Sequence, residues 1–396
     1  MLTRRNVKNG DELSILGFGC MRFPTKGAGI DEPRAIAMIR DSIEKGVNYF
    51  DTAYFYHGGK SESLLGEALS GGYRERVKIA TKLPPFMVKN LEGAKKIFAT
   101  QLTKLKTSYI DYYLLHMLSD KVTFDRMVSI GVIQWLEELK KEGKIKNLGF
   151  SFHGSKADFE EIIQAYPWDF CQIQYNYMDE NTQATKSGLQ LAHSFGIPVV
   201  IMEPLRGGRL VNNLPEEVIQ EFKSYDEKRS PAEWALRWIW NHPEVNVVLS
   251  GMSTEAQTEE NIQIASDARA NSLSEKELEI FENVKAILHE KTKIPCTACG
   301  YCMPCPSGVN IPGCFSAYND KYLLKGKRSR WKYMQALGVM SKKPSYASVC
   351  IECGKCEKHC PQNIAIRKEL RTVKREMEGI LYRPAVKIAR KILKVE

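Results

Sequence analysis

Cysteine is nearly missing from the first 295 of the 396 residues, where only Cys20 and Cys171 occur. A disulfide framework is therefore excluded for most of the chain. No apolar run is long enough to span a bilayer; stretches such as "GIPVVIM" are strand-sized. The N-terminus "MLTRRNVKNGDEL" has no apolar core of the kind that opens a secretory signal, which predicts a cytoplasmic protein. No low-complexity linker occurs. The sequence shows no internal repeat beyond an alternation of strand-like and helix-like stretches. A Gly-rich phosphate loop after a first strand is also missing, and "GFGCMRFP" is a poor version of one.

What is present is unevenly spread. Nine of the eleven cysteines fall between Cys296 and Cys360. The net charge of +10 is concentrated too: from Asp320 to Glu396 there are 20 Lys and Arg against 7 Asp and Glu. The preceding part is slightly acidic. A composition with 43% hydrophobic and 26% charged residues suits a large globular core.

Eight short apolar runs read as strands: 16–20, 47–51, 77–82, 110–116, 145–151, 170–176, 197–202 and 245–250. Between them lie stretches with apolar residues at helical spacing, such as 127–144, read as one amphipathic run. Such alternation predicts a parallel sheet covered by helices. Eight units in about 250 residues predict a closed (β/α)8 TIM barrel. An open doubly wound sheet is the rival, disfavoured by the poor phosphate loop. Ser274 and Glu277 form a capping-box pattern at the head of a last helix. The composition changes after Lys293, so two domains are expected, 1–290 and 291–396.

In such a barrel, chemistry sits at the C-terminal strand ends. Reading those ends gives Asp51, Lys82 and His116, with Tyr56 in the loop "FDTAYFYHGGKSE". A lone Asp there is usually a turn residue, a lone Lys is usually solvated, and a loop Tyr usually packs. Together they form an acid–base set. A close ammonium from Lys82 lowers a tyrosine's pKa, Asp51 holds Lys82, and His116 orients a carbonyl oxygen that Tyr56 protonates.

These motifs, with "ATKL", "YYLLHM", "QIQYN", "EPLRGG" and "SGMSTEAQTEEN", resemble the aldo-keto reductase family over residues 1–290. The resemblance implies reduction of a carbonyl, or oxidation of an alcohol, with a nicotinamide cofactor in the barrel mouth. It implies that Ser151 and Gln172 contact the carboxamide. It implies that Leu205, Gly207, Ser253, Gln257 and Asn261 hold the phosphates. The chain departs from the family at Phe152, Met202 and His57, where Asn, an aromatic and Gly are common. "GMSTEAQTEEN" has no cation for a 2′-phosphate, which favours NAD over NADP.

The C-terminal part carries two cysteine runs. Cys350, Cys353, Cys356 and Cys360 followed by Pro361 match C-x2-C-x2-C-x3-C-P, the run of bacterial ferredoxins. Cys296, Cys299, Cys302 and Cys305 with Pro306 form a run one residue shorter. The expected cofactors are two [4Fe–4S] clusters in a small, mainly helical, ferredoxin-like domain. In two-cluster ferredoxins the fourth cysteine of each run serves the other cluster. Carried over, this places Cys360 with Cys296, Cys299 and Cys302, and Cys305 with Cys350, Cys353 and Cys356. Structural zinc is the alternative. Cys20, Cys171 and Cys314 are expected as packed core residues.

Nicotinamide moves two electrons and a cluster moves one, so three roles remain open for the clusters. They deliver electrons from a donor to a substrate or to a flavin. They hold a covering domain in place. Or they sense redox state in a protein whose barrel mainly binds a nucleotide. The basic segment 367–396 reads as two helices interrupted near Pro384. It suits an acidic ferredoxin or flavodoxin as partner, or a solvated face. Nucleic acid is disfavoured, since no recognition motif accompanies the charge.

Overall fold

A computed structural model of the chain describes residues 1–27, 29–323, 329–339, 341 and 343–392. The chain folds into two compact units: Met1–Leu205 with Ala232–Leu273, and Arg206–Pro231 with Ser274–Glu396.

All eight expected strands form in the first unit. They are β1 (Leu16–Gly19), β2 (Tyr49–Asp51), β3 (Lys78–Leu83), β4 (Ile110–Leu118), β5 (Ile145–Phe152), β6 (Phe170–Gln174), β7 (Val199–Met202) and β8 (Val245–Ser250). Each pairs in parallel with its sequence neighbours, and β8 pairs with β1 to close the barrel. Both faces of these strands are covered, which is why they read as continuous apolar runs rather than alternating ones.

Side chains alternate along each strand, so every second residue points inward. Tyr49, Ala80, Tyr112, Leu114, Phe170, Val200, Val247 and Leu249 fill the interior, joined by Leu13 from an N-terminal hairpin (Thr3–Arg5 with Glu12–Ser14). Gly17 is required by this filling: a Cβ there would stand 2.7 Å from the Leu249 side chain. The barrel is packed through, and open chemistry is confined to its ends.

Two expectations about helices are corrected. The run 127–144 is not one helix. It splits into Lys121–Ser129 and Val132–Lys141 around Gly131, whose φ of 76° ends one helix and starts the next. The tail forms helices Ile366–Met377 and Tyr382–Ile392, but the break lies at 378–381 rather than at Pro384. Pro384 sits in the first turn of the second helix, where a missing N–H costs nothing. The capping box Ser274–Glu277 heads helix Glu275–Lys291 as expected.

In the second unit, helices Ile311–Leu323, Ile366–Met377 and Tyr382–Ile392 pack around Phe315, Tyr318, Tyr333, Leu370 and Val373. Cys314 lies in this core; Cys20 and Cys171 are buried in the barrel. Among the described residues, no helix is long and apolar enough to cross a membrane.

The second unit also contains a repeat that the sequence reading did not expect. Each cysteine run begins with the same turn: Ala298 and Glu352 both have φ of 57°, and Gly300 and Gly354 have φ of 82° and 72°. The N–H groups of Ala298 and Glu352 donate to the sulfurs of Cys296 and Cys350, at 3.4 and 3.3 Å. Three residues after each final cysteine stands another left-handed residue, Gly308 or Asn363. Three further on, a helix begins, at Ile311 or Ile366. The different length of the two runs and the unlike residues in the turns hide this duplication in the sequence.

Candidate active site and cluster motifs

Strand register and pleat bring the proposed catalytic residues together. Asp51 pairs with Ala80 in the ladder, and Lys82 pairs with Leu114. Tyr49, Ala80 and Leu114 belong to the packed interior. Asp51, Lys82 and His116 lie two residues beyond these, so they point inward one layer higher.

Lys82 is fully buried. Its Nζ donates to Asp51 Oδ1 at 2.6 Å and to the Thr52 carbonyl at 2.8 Å. Burial pushes Lys82 down and Asp51 up, while their mutual attraction opposes both shifts. The ammonium stands 5.2 Å from the ring centre of Tyr56. Tyr56 meets His116 edge-on at 5.9 Å, and Phe55 stacks on the His116 ring at 4.8 Å. Burial, then the Lys82 charge, hold His116 well below the ordinary histidine range, so its ring is neutral at physiological pH. Among the described residues, its buried Nδ1 has no hydrogen-bond partner.

A network behind Lys82 escaped the sequence reading. The buried Glu62 accepts from Thr81 Oγ1 at 2.7 Å and from Gln101 Nε2 at 2.8 Å. Gln101 Nε2 also reaches the Lys82 carbonyl at 3.0 Å. Tyr113 donates to Gln101 Oε1 at 2.7 Å. Glu62 is the last residue of the loop motif that contains Tyr56, but no spacing rule links it to Gln101.

On the cofactor side, Ser151 and Gln172 are direct register partners on β5 and β6. Ser151 Oγ accepts from Met117 N at 2.9 Å, and Gln172 Nε2 lies 3.5 Å from the sulfur of Met202. Among the described residues, the buried Gln172 Oε1 has no partner, an acceptor suited to a carboxamide N–H. After β8, Thr254 caps helix Glu255–Ala265. Ser253 N donates to Gln257 Oε1, and Ser253 Oγ to the Arg22 carbonyl, each at 2.9 Å. Asn261 is turned inward and donates to Ser250 Oγ at 2.9 Å. Ser253 borders an open cleft with Arg22, Arg34 and His57. Arg34 is held by both oxygens of Glu255, at 2.8 and 2.5 Å, which pulls the Glu255 carboxyl down to about 2. His57 adopts φ of 51°, the conformation a glycine takes freely, and is fixed by accepting from Phe23 N at 3.2 Å. Leu205 ends the longer segment of the first unit. Gly207 belongs to the other unit, in a turn with φ of 67°.

In the second unit, Cys296, Cys299, Cys302 and Cys360 line one small cavity with Ile311, Phe315, Ile364 and Ile366. Cys360 acts on the Cys296 and Cys302 thiols. Cys305 instead acts on Cys356, together with Cys350. The fourth cysteine of each run thus stands with the opposite run. Cys353 is exposed. Among the described residues, no two cysteines form a disulfide.

Residues 15–286 match the model of the aldo/keto reductase family. The chain belongs to that family. Residues 295–365 match a 4Fe-4S dicluster domain, so this family member carries a ferredoxin-like iron–sulfur domain C-terminal to its barrel. A probable aldo-keto reductase of Glycine max is 29% identical over 311 residues, covering 69% of this chain and 86% of its own. An L-galactose dehydrogenase of Arabidopsis thaliana is 26% identical, covering 70% of this chain and 92% of its own. Among solved structures, an aldo-keto reductase of Bacillus halodurans in its holo form is 27% identical, with a TM-score of 0.59 over 72% of this chain and 96% of its own.

Proposed function

We propose that this aldo/keto reductase interconverts a small carbonyl compound and its alcohol, using a nicotinamide cofactor at the barrel's strand ends. The observation that carries this is the buried Lys82–Asp51 pair beside Tyr56, next to a neutral His116 with an unpartnered nitrogen. When bound, a nicotinamide supplies or accepts hydride, whereas each [4Fe–4S] cluster supplies or accepts one electron. Ser151 and the unpartnered Gln172 Oε1 hold the carboxamide. His116 orients the substrate oxygen. Tyr56 gives that oxygen its proton, and the Lys82 charge stabilises the phenolate left behind. Asp51 keeps Lys82 charged despite its burial. The likeness to an L-galactose dehydrogenase supports a small polyol or carbonyl as substrate class.

NAD is the preferred form. Arg34, which lines the cleft beside Ser253, is already neutralised by Glu255, and that carboxylate repels a 2′-phosphate. Arg22 remains as the cation through which NADP can still bind. A flavin is the second reading for the barrel, since it can couple one- and two-electron steps. The orphaned Gln172 acceptor favours a carboxamide instead.

The chain divides functionally near residue 290, with residues 1–290 carrying out the carbonyl chemistry. In residues 291–396, Cys296, Cys299, Cys302 and Cys360 hold one cluster, and Cys350, Cys353, Cys356 and Cys305 the other. These exchange electrons with an acidic carrier such as a ferredoxin or flavodoxin. The exposed Lys368, Lys374 and Arg375 of one helix offer such a partner a basic face. The test is an anaerobic assay of small aldehydes, ketones and sugars with NADH, NADPH and reduced ferredoxin as alternative donors. Turnover with a nicotinamide donor supports the reading; no binding of either nucleotide and no turnover overturns it.

A further inference from the structure

The second unit surrounds its two sulfur sites with unequal charge. The site of Cys296, Cys299, Cys302 and Cys360 has apolar walls formed by Ile311, Phe315, Ile364 and Ile366. Reducing a cluster there adds negative charge among four thiolates in a low-dielectric setting, which burial disfavours.

Two arginines stand at this site, and neither comes from the cysteine-rich sequence. Both belong to segment 206–231, which leaves the barrel after β7. Arg206 is buried and donates from Nη2 to the carbonyl of Pro295, the residue before Cys296, at 3.5 Å. Its φ of 47° is strained for a side chain with a Cβ, and Gly207 and Gly208 continue the left-handed turn with φ of 67° and 90°. The half-buried Arg209 belongs to the same turn, its N–H donating to the Arg206 carbonyl at 3.4 Å. Asp320 is the acidic group beside Arg209, and burial weakens its charge by pushing its carboxyl up.

The other site is built differently. Arg367 lies near Cys356, but it is exposed and bound to Glu357 at 2.9 and 2.8 Å. Arg371 is bound to Glu352 at 2.9 Å. Charges there are paired and screened by water.

We propose that Arg206 and Arg209 stabilise the reduced form of the Cys296 cluster and raise its reduction potential, so that an electron arriving at the Cys353 cluster passes to it. The Cys353 cluster receives one electron from a one-electron carrier and returns to its oxidised state as the Cys296 cluster gains that electron. No bond is made or broken. This rests on the reading that the eight cysteines hold two clusters in the crossed arrangement.

The test is a redox titration followed by electron paramagnetic resonance on anaerobic holoprotein. Wild type is compared with Arg209→Gln, Arg206→Gln and Arg209→Lys, and Cys353→Ser identifies the signal of the second cluster. In Arg209→Gln the reduced-to-oxidised ratio of the first cluster at fixed potential falls about tenfold, a shift of ~59 mV for one electron. Arg209→Lys stays near wild type, and the second cluster does not move. An unchanged first-cluster potential in Arg209→Gln at full iron and sulfide content overturns the proposal. So does an equal shift of both clusters, which marks a general disturbance. Should Arg206→Gln lose iron, Arg209→Gln decides alone. Failure of the underlying cluster reading looks different: wild type then shows no iron–sulfur signal.

Discussion

The barrel and the cysteine-rich unit assemble their sites by opposite routes. Asp51 and Lys82 are 31 residues apart, and only strand register and pleat set them at 2.6 Å. The cysteine runs need no sheet. Each is wound by local left-handed residues, Ala298 and Gly300 in one and Glu352 and Gly354 in the other. The barrel therefore buries charge inside a framework that already exists. In the second unit the sulfurs lie at the edge of its core, where Cys296, Cys302, Cys305, Cys350, Cys356 and Cys360 pack against the buried cluster. A defect in the first should harm chemistry or stability at a point. A defect in the second should harm metal content first.

The largest effect is expected from Tyr56→Phe. Carbonyl reduction falls by about 10²–10⁴-fold, the usual loss for a general acid. Nucleotide binding and iron content stay at wild-type levels. A steady-state assay with an iron determination checks both, and wild-type turnover would remove Tyr56 from the role of acid.

Lys82→Met separates charge from packing. It leaves Asp51 buried without its partner, and breaking a buried pair costs about 3–5 kcal/mol. Denaturant unfolding of the barrel measures this. A loss below 1 kcal/mol would mean that Asp51 finds water or a proton without difficulty.

The two buried histidines at the barrel's strand ends make its stability depend on pH. His153 is pushed down to about 4 by burial, and His116 is also held well below its usual range. Below about pH 6.5 the unfolded chain binds protons at both positions that the folded barrel does not. Stability therefore falls as pH drops from 6.5 toward 4, by up to ~1.4 kcal/mol per pH unit for each histidine. Thermal melts between pH 7 and pH 4.5 test this; a flat profile contradicts it.

The smallest effect concerns the exposed Arg34–Glu255 pair. Glu255→Gln releases the Arg34 charge beside Ser253. The ratio of NADPH to NADH affinity rises about two- to fivefold, the scale of a surface ion pair. Nucleotide titrations of both proteins measure it, and an unchanged ratio would remove Glu255 from cofactor choice.

How much of this was legible in the sequence follows from the same contrast. Eight strands were readable because parallel strands covered on both faces are continuous apolar runs. The strand-end residues were readable because they close those runs. The helix break at Gly131 was not, since a glycine in a helical pattern is often tolerated. Pro384 misled because a proline in the first turn of a helix resembles one that breaks it. Glu62 and Gln101 were missed because a buried polar network has no spacing rule. The crossed cysteine arrangement came from analogy, whereas the duplicated turn becomes visible only in backbone angles. Arg206 and Arg209 were invisible as cluster neighbours, being nearly 90 residues from Cys296 in the chain.

The central claim is that a nicotinamide-binding barrel and a two-cluster electron carrier share one chain. Its most direct test is chemical analysis of protein purified without oxygen, combined with equilibrium titration of NADH and NADPH. The expected result is about eight iron and about eight acid-labile sulfide per chain, from two four-iron clusters, and saturable binding of one nucleotide. Stoichiometric zinc without sulfide, or iron and sulfide with no nucleotide binding, would contradict it.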